Sequence, residues 1–449
     1  MLHVNMQSIE VGIARISELV WSWPIVAFIV TTGIILTWCF SGIQFTAFFK
    51  SWKYLFQKDP SQPEMSTKGD QISPFQAFIN ALSASLGNGG VAGMATVLVD
   101  GGPGTAFWVF VLGFISMILR FTEVYASTTM SNKSSGFTGP FSYIKKLPYG
   151  TFFVNVYAVV MLFFIFCGGI AMQTNSMGIS LRDMTGMSHI FIGLFFAAVI
   201  LYIVFGGAKR IMRAAEIIIP VKVILFFVGI VALLVYHADR IPMALQMIFD
   251  NAFTIDAAAK GGIVFTMQQA ISKGFARALN ATEAGLGTAS IFFGATESKN
   301  PLRISIMSMI TAFISTNLVC SMVILSIIVS GVSDSGLTST SLVIAAFKTV
   351  FGAFAAPGVT FLSFSFGLGV LVAYSYMGAR MWEFIFTKKS LPFYNMLLGV
   401  TAFLGTLGTV RLIWSSLDLL VALLIVLNLS GLLAILPELR KKFMKEKLQ

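Results

Sequence analysis

Continuously apolar stretches of about 20 residues, long enough to cross a bilayer as a helix, recur from Trp21 to Leu436. No other feature limits the fold so tightly. The stretches fall at 22–48, 74–98, 103–130, 150–180, 188–206, 212–236, 264–295, 302–332, 355–387, 392–409 and 412–436. We term them helices one to eleven. They do not alternate apolar and polar residues, so they predict membrane-spanning helices and not the strands of a barrel. Composition agrees. Of 449 residues, 56% are hydrophobic and 11% charged, whereas a soluble domain carries about 25% charge. A soluble enzyme, a nucleic-acid binder and a disordered chain are excluded. The segments 237–263 and 333–350 are mixed and predict short helices on the outer face.

The net charge of +11 follows from loops and not from a nucleic-acid partner, because cytoplasmic loops of membrane proteins are rich in Lys and Arg. With the amino terminus outside, nineteen basic residues fall on the inner side and six on the outer. An odd helix count places the basic tail 438–449 inside. This topology is that of a multi-pass protein of the plasma (inner) membrane. Cys39, Cys167 and Cys320 each lie in an apolar run, and the three histidines are scattered. No disulfide framework, metal site or cofactor is expected from them.

Two helices carry residues a lipid-embedded helix tolerates poorly. Helix two contains Gly87-Asn88-Gly89-Gly90 followed by Gly93. Each mid-helix glycine costs about 1 kcal/mol relative to Ala. Close packing explains Gly89 with Gly93, but not adjacent glycines beside a polar Asn88. An unwound segment is predicted there. Its free N–H groups suit a carboxylate and its free carbonyls a small cation. Helix seven, Ser272-Lys273-Gly274 through Glu283-Ala284-Gly285-Leu286-Gly287, holds three charges, which lipid accepts only when paired or wet. Two interrupted helices five apart point to an inverted-repeat transporter with its site between them. The expected divisions are 1–73 with helix one, 74–236 as the first repeat, 237–263 as an outer connection, 264–437 as the second repeat, and the tail 438–449.

Further polar groups inside the apolar stretches are Arg120 and Glu123, Gln173 to Asn175, Glu216 beside Pro220, Arg380 and Glu383, and Asp418. Arg120–Glu123 and Arg380–Glu383 have the i,i+3 spacing of ion pairs and are expected near the inner interface. Glu283 with Arg277 would form a gate or a packing pair.

These residues, taken in order, resemble the alanine or glycine:cation symporters. The resemblance rests on Gly87–Gly93, Gly101-Gly102-Pro103-Gly104 with Phe107-Trp108, Arg120 and Glu123, Gly139-Pro140 before Tyr143-Ile144, and Gln173 with Asn175. It continues through Gly206-Gly207 with Lys209-Arg210-Ile211, Glu283–Gly287, Ser375-Tyr376 with Gly378 and Arg380, and Trp414 with Asp418. It implies a leucine-transporter-like fold, a five-plus-five inverted repeat with one additional amino-terminal helix. It also implies uptake of a small neutral amino acid with Na⁺. The chain departs from the family at Asn88-Gly89-Gly90, Thr282, Ser315 and Gly369-Val370, several of them oxygen-bearing positions able to serve a cation.

The expected substrate is a zwitterion such as alanine or glycine. Its carboxylate would meet N–H groups at Gly89 and Gly90 with Asn88 assisting. Its ammonium would meet carbonyls near Gly274 and Ala276. Gln173 and Asn175 would complete the wall, with Phe275 and Tyr374 limiting side-chain size. Carbonyls around Gly87 and the hydroxyls of Ser315, Thr316 and Ser365 would hold one Na⁺. The rivals are an H⁺-coupled or uncoupled carrier working through Glu283, a channel, which would need a filter-like repeat, and a membrane enzyme, which would need a nucleophile with a base or a metal cluster.

The basic asymmetry predicts that the tail from Pro437 onward is cytoplasmic. Single cysteines placed in the tail should react with a membrane-impermeant maleimide only after the membrane is opened. Labelling of intact cells would reverse the assignment.

Overall fold

The computed structural model describes residues 2–57, 73–130, 139–205, 208–253, 266–294, 296 and 300–447. Within them every regular element is a helix. Six continuous stretches are long and apolar enough to span: Thr105–Met130, Gly150–Thr185, Pro301–Ser330, Ser339–Ile385, Lys388–Leu407 and Val410–Ala434. Three bent pairs add Ser8–Val20 with Trp23–Cys39 at 44°, Pro74–Ser85 with Asn88–Gly101 at 51°, and Lys222–Tyr236 with Ala238–Ala252 at 71°. Helix five, His189–Phe205, is apolar and shorter.

Helices two to six and eight to eleven coincide with helical segments to within a few residues, whereas the first stretch, 22–48, ends as a continuous helix at Cys39. The segments expected to form short helices are helical over Ile241–Ala252 and Ser339–Phe351, and each runs close against a neighbouring apolar helix. The amino-terminal helix Leu2–Val20 was not predicted, because Glu10, Arg15 and Glu18 interrupt its apolar residues and hydropathy passes over it. Glu216 and Pro220 lie in the helix Ala208–Tyr236, their side chains outside those described, and several of the loop lysines lie outside the described residues.

Helices two and seven begin alike. Ser73 accepts the N–H of Gln76 at 3.1 Å while the Gln76 side chain accepts that of Ser73 at 3.0 Å. Thr266 and Gln269 repeat this capping box at 3.3 and 3.0 Å. The box satisfies two of the four donors a helix start leaves open. Both helices then stop early. Helix two is helical over Pro74–Ser85, passes through a short 3₁₀ turn at Asn88–Gly90, and resumes over Ala92–Gly101. Helix seven is helical over Met267–Thr282 and resumes over Thr288–Gly294, segments of 16 and 7 residues. Neither is long enough to span alone.

The two breaks have different causes. At helix two the backbone keeps negative φ, so space and not conformation calls for glycine. A Cβ on Gly87 would lie 2.6 Å from Val370 Cγ2 and 2.8 Å from Gln173 Nε2. At helix seven the chain turns left-handed at Glu283, Gly285 and Gly287, with φ of 57°, 82° and 90°. Glycine reaches that region freely; Glu283 occupies it at a cost. This corrects the expected position of the break: Gly274, Phe275 and Ala276 lie inside the unbroken Met267–Thr282.

The remaining helices surround these two. Helix five lies along helix ten, helix three along helices seven and eight, and helix nine against helices four and six. Large apolar side chains such as Phe191, Tyr202, Val228, Phe361 and Val400 are exposed on the rim. Water would penalise that surface and lipid does not. Arg120, Glu123, Lys222, Arg277, Glu283 and Asp418 are all buried.

Gly287→Ala should destabilise the bundle by roughly 1–3 kcal/mol, through a left-handed Ala and a Cβ 2.3 Å from Pro140 Cγ. A lowered melting midpoint of the purified protein in detergent would show it, and Gly186→Ala, which meets nothing within 4 Å, is the control for backbone strain alone.

Candidate functional site

The two breaks face each other across the middle of the bundle. A Cβ on Gly89 would sit 3.4 Å from Ala281 Cα. Between them lies a small cavity of about 10 Å³, lined by Gly87, Gly89, Gln173, Asn280, Glu283 and Tyr374 among others. That is roughly the room one water needs. Two larger depressions, of about 210 and 430 Å³, lie at Tyr54–Arg303 and against the apolar face around Phe163 and Leu420. Neither borders an unwound segment.

Asn88 is a clamp. Its backbone N–H and its side-chain amide both donate to Gln173 Oε1, at 3.0 and 3.1 Å. The same amide donates to the Ser363 carbonyl at 3.1 Å, and the Ser363 hydroxyl donates to Asn88 Oδ1 at 2.8 Å. Helices two, four and nine are thus tied at the break. Asn88 is engaged by protein on both ends of its amide, which corrects its expected role beside a carboxylate. Asn175 is also displaced from the expected wall: its amide donates to the carbonyls of Gly405 and Gly408 at 2.9 and 2.8 Å, towards helix ten. Gly274 packs against Thr105 and Trp108 of helix three.

The helix-seven break is held by a buried polar cluster. Glu123 accepts the N–H groups of Gly285 and Gly287 at 3.2 and 3.0 Å and pairs with Arg120 at 3.0 Å. Arg120 donates in turn to the Thr282 carbonyl. Asn428 donates to the Gly285 carbonyl at 2.8 Å and accepts from Tyr143 at 2.5 Å, while Tyr157 donates to the Leu286 carbonyl at 2.6 Å. Orphaned backbone groups that lipid would leave unsatisfied are met here one by one. Arg120 and Glu123, at 1% and 0% exposure, form the expected i,i+3 pair and fasten this break. Arg380–Glu383, at 3.7 Å and partly exposed, fits the expected pairing.

Arg277 and Glu283 do not meet. Arg277 pairs with Asp418 at 2.5 Å and with Asp100 at 3.4 Å, and lies 4.6 Å over the Trp414 ring. It joins helices two, seven and eleven one and a half turns before the break. Glu283 faces the cavity and accepts the Tyr374 hydroxyl. Tyr374 fits there because position 169 is glycine: a Cβ would lie 2.3 Å from its ring.

Of the expected ion ligands, Ser315 turns its hydroxyl to its own helix, onto the Thr311 carbonyl at 2.9 Å. Ser365 does likewise with Phe361 at 2.8 Å. Thr316 is buried with its hydroxyl unpartnered, in the π-helical stretch Phe313–Cys320, and Gly90 packs on Val319 nearby. The sequence reading passed over Asn280, whose buried side-chain nitrogen has no partner at the cavity wall. It also passed over Lys222, although a lysine amid Ile-Ile-Ile-Pro-Val and Val-Ile-Leu-Phe-Phe is a visible signal.

Buried polar groups converging between two unwound helices, inside a bundle with an apolar rim, define a multi-pass helical membrane transport protein. The chain belongs to the Sodium:alanine symporter family, which it matches over residues 6–447. That family is one of carriers and not of enzymes. The chain is similar to the sodium/alanine symporter AgcS of Methanococcus maripaludis, 29% identical with 93% of each chain covered. It is also similar to the probable sodium/glutamine symporter GlnT of Bacillus subtilis, 27% identical over 93% of this chain and 86% of that one. Among solved structures, a nucleobase-cation-symport-1 family transporter aligns over 81% of this chain and 78% of its own, at 14% identity and a TM-score of 0.44.

Removing Asp418 as Ala leaves Arg277 buried against the more distant Asp100. Breaking a buried pair costs roughly 3–5 kcal/mol, so folded yield and melting midpoint should fall. The double variant Arg277→Met/Asp418→Leu should recover most of that stability; if it melts as low as the single variant, the pair is not what destabilises it.

Proposed function

We propose that the protein is a secondary carrier that takes up a small neutral amino acid together with Na⁺ by alternating access. The facing of the two unwound segments across the Gly89–Ala281 contact carries this reading. Ala92–Gly101 begins beside Gly89 and Gly90, and a helix start attracts a carboxylate. Met267–Thr282 ends at the same place, and the last carbonyls of a helix attract an ammonium. The Thr282 carbonyl is taken by Arg120 and that of Leu279 by the Glu283 N–H. The ammonium would therefore meet Asn280, Ala281 and the Glu283 carboxylate, with Gln173 and Tyr374 closing the wall. The cavity has room for about one water, so its walls would have to part for any amino acid, and alanine or glycine would require the least movement.

The two halves, helices two to six and seven to eleven, would be inverted repeats rocking about this site. Their matching starts, the two capping boxes, and their matching breaks support the division. The unpartnered Thr316 hydroxyl beside the helix-two turn supports one Na⁺ there. One ion suffices. A charge crossing about 100 mV supplies roughly 2.3 kcal/mol, and a tenfold gradient adds about 1.4 kcal/mol. Together they sustain accumulation of a neutral solute by a few hundredfold.

Gly89→Leu and Gly90→Leu should abolish alanine uptake into proteoliposomes while the protein still inserts, because a leucine fills the space between the breaks. Near-normal uptake by either would remove the site from this position. Run with Na⁺, K⁺ or Li⁺ outside at clamped voltage, wild-type uptake should require Na⁺. Equal uptake in all three salts that rises with an imposed proton gradient would replace Na⁺ by H⁺ working through Glu283.

A further inference from the structure

Most of the described cations inside the bundle have carboxylate partners. Arg120 has Glu123, Arg277 has Asp418, and Arg380 has Glu383. Lys222 of helix six is 1% exposed and forms no ion pair among the described residues. Its ammonium donates to the Ser365 carbonyl of helix nine at 3.0 Å and stands 5.0 Å from the Phe366 ring. The Ser83 hydroxyl, in the last turn before the helix-two break, is buried and without a partner. Gly369 lies between the two: a Cβ there would sit 2.7 Å from Ser83 Oγ and 2.8 Å from Lys222 Nζ. An unpaired charge in this place is expensive and has to be offset by function or by oxygen ligands. The surroundings are those of a small-cation site: a carbonyl, a hydroxyl, and the negative end of a half-helix.

We infer that the Lys222 ammonium is a resident cation at the junction of helix two and helix nine. It holds the first half of helix two against helix nine as a bound monovalent ion would, so this junction takes no ion from solution. Gly369 belongs to the same arrangement, since any side chain there would meet the ammonium. The inference rests on the carrier reading only through its transport readouts. It leaves the Na⁺ proposed near Thr316 untouched and limits the carrier to at most one.

The first test is the coupling ratio of the wild-type protein, from reversal potentials of alanine flux in proteoliposomes. One Na⁺ per amino acid, or none, is expected; two would overturn the inference. None would sink the Na⁺ reading above while leaving this one standing. The second test uses Lys222→Met, Lys222→Ala and the double variant Lys222→Ala/Gly369→Ser. Lys222→Met should lower alanine counterflow roughly tenfold or more through loss of a charged hydrogen bond. The double variant, with room and an added hydroxyl, should gain a saturable Na⁺-dependent rise in melting midpoint beyond that of wild type. Counterflow at wild-type level in Lys222→Met, or a Na⁺ response of the double variant no greater than wild type, would overturn the inference. If the variants do not fold, the wild-type coupling ratio decides alone.

Discussion

Every buried backbone group in this protein must find a partner without help from water, and the two broken helices are where that demand is hardest to meet. Lipid offers no hydrogen bonds. A helix that stops in mid-membrane leaves carbonyls on one side and N–H groups on the other. The chain answers with side chains of neighbouring helices. Glu123, Arg120, Asn428 and Tyr157 take up the groups freed around Glu283–Gly287. Gln173 takes the Asn88 N–H. Asn280, whose side-chain nitrogen is left without a partner, lines the cavity between the breaks.

The charges follow from this arrangement. Removed from water, each needs a partner within a few ångströms. The Arg120–Glu123 pair fastens one break, and Arg277 with Asp418 and Asp100 ties the first half of helix seven to helices two and eleven. Both clusters bridge separate helices, and the cavity between the breaks has room for about one water. Glu283 and Lys222 stand apart from these pairs. One faces the cavity and the other the helix-nine junction.

Much of the fold was legible because hydrophobicity is read in one dimension. A stretch of about 20 apolar residues has few options in a bilayer, and the helices lie where such stretches are. The helix-two break was legible for a local reason too, since consecutive glycines beside Asn88 suit no ordinary membrane helix. The helix-seven break was placed too early. Lys273, Gly274 and Arg277 drew attention as misfits, yet Arg277 is satisfied by Asp418, 141 residues away, and its helix runs on. The spacing Glu283-Ala284-Gly285-Leu286-Gly287, with glycines at two of the left-handed positions, was the local signal that counted.

The sequence by itself determined the class of protein, its all-helical apolar character, and the glycine-rich points where two helices yield, since these depend on local composition and backbone freedom. Partnership depended on the tertiary structure alone. Asn88 and Asn175 look alike as candidates in a sequence, but one clamps the break to Gln173 and the other turns to Gly405 and Gly408. Lys222 is one lysine in an apolar run until helix nine sets the Ser365 carbonyl against it, 143 residues further on. A side chain's energy in a low-dielectric interior is set by atoms a few ångströms away, and those atoms come from helices that only folding brings together.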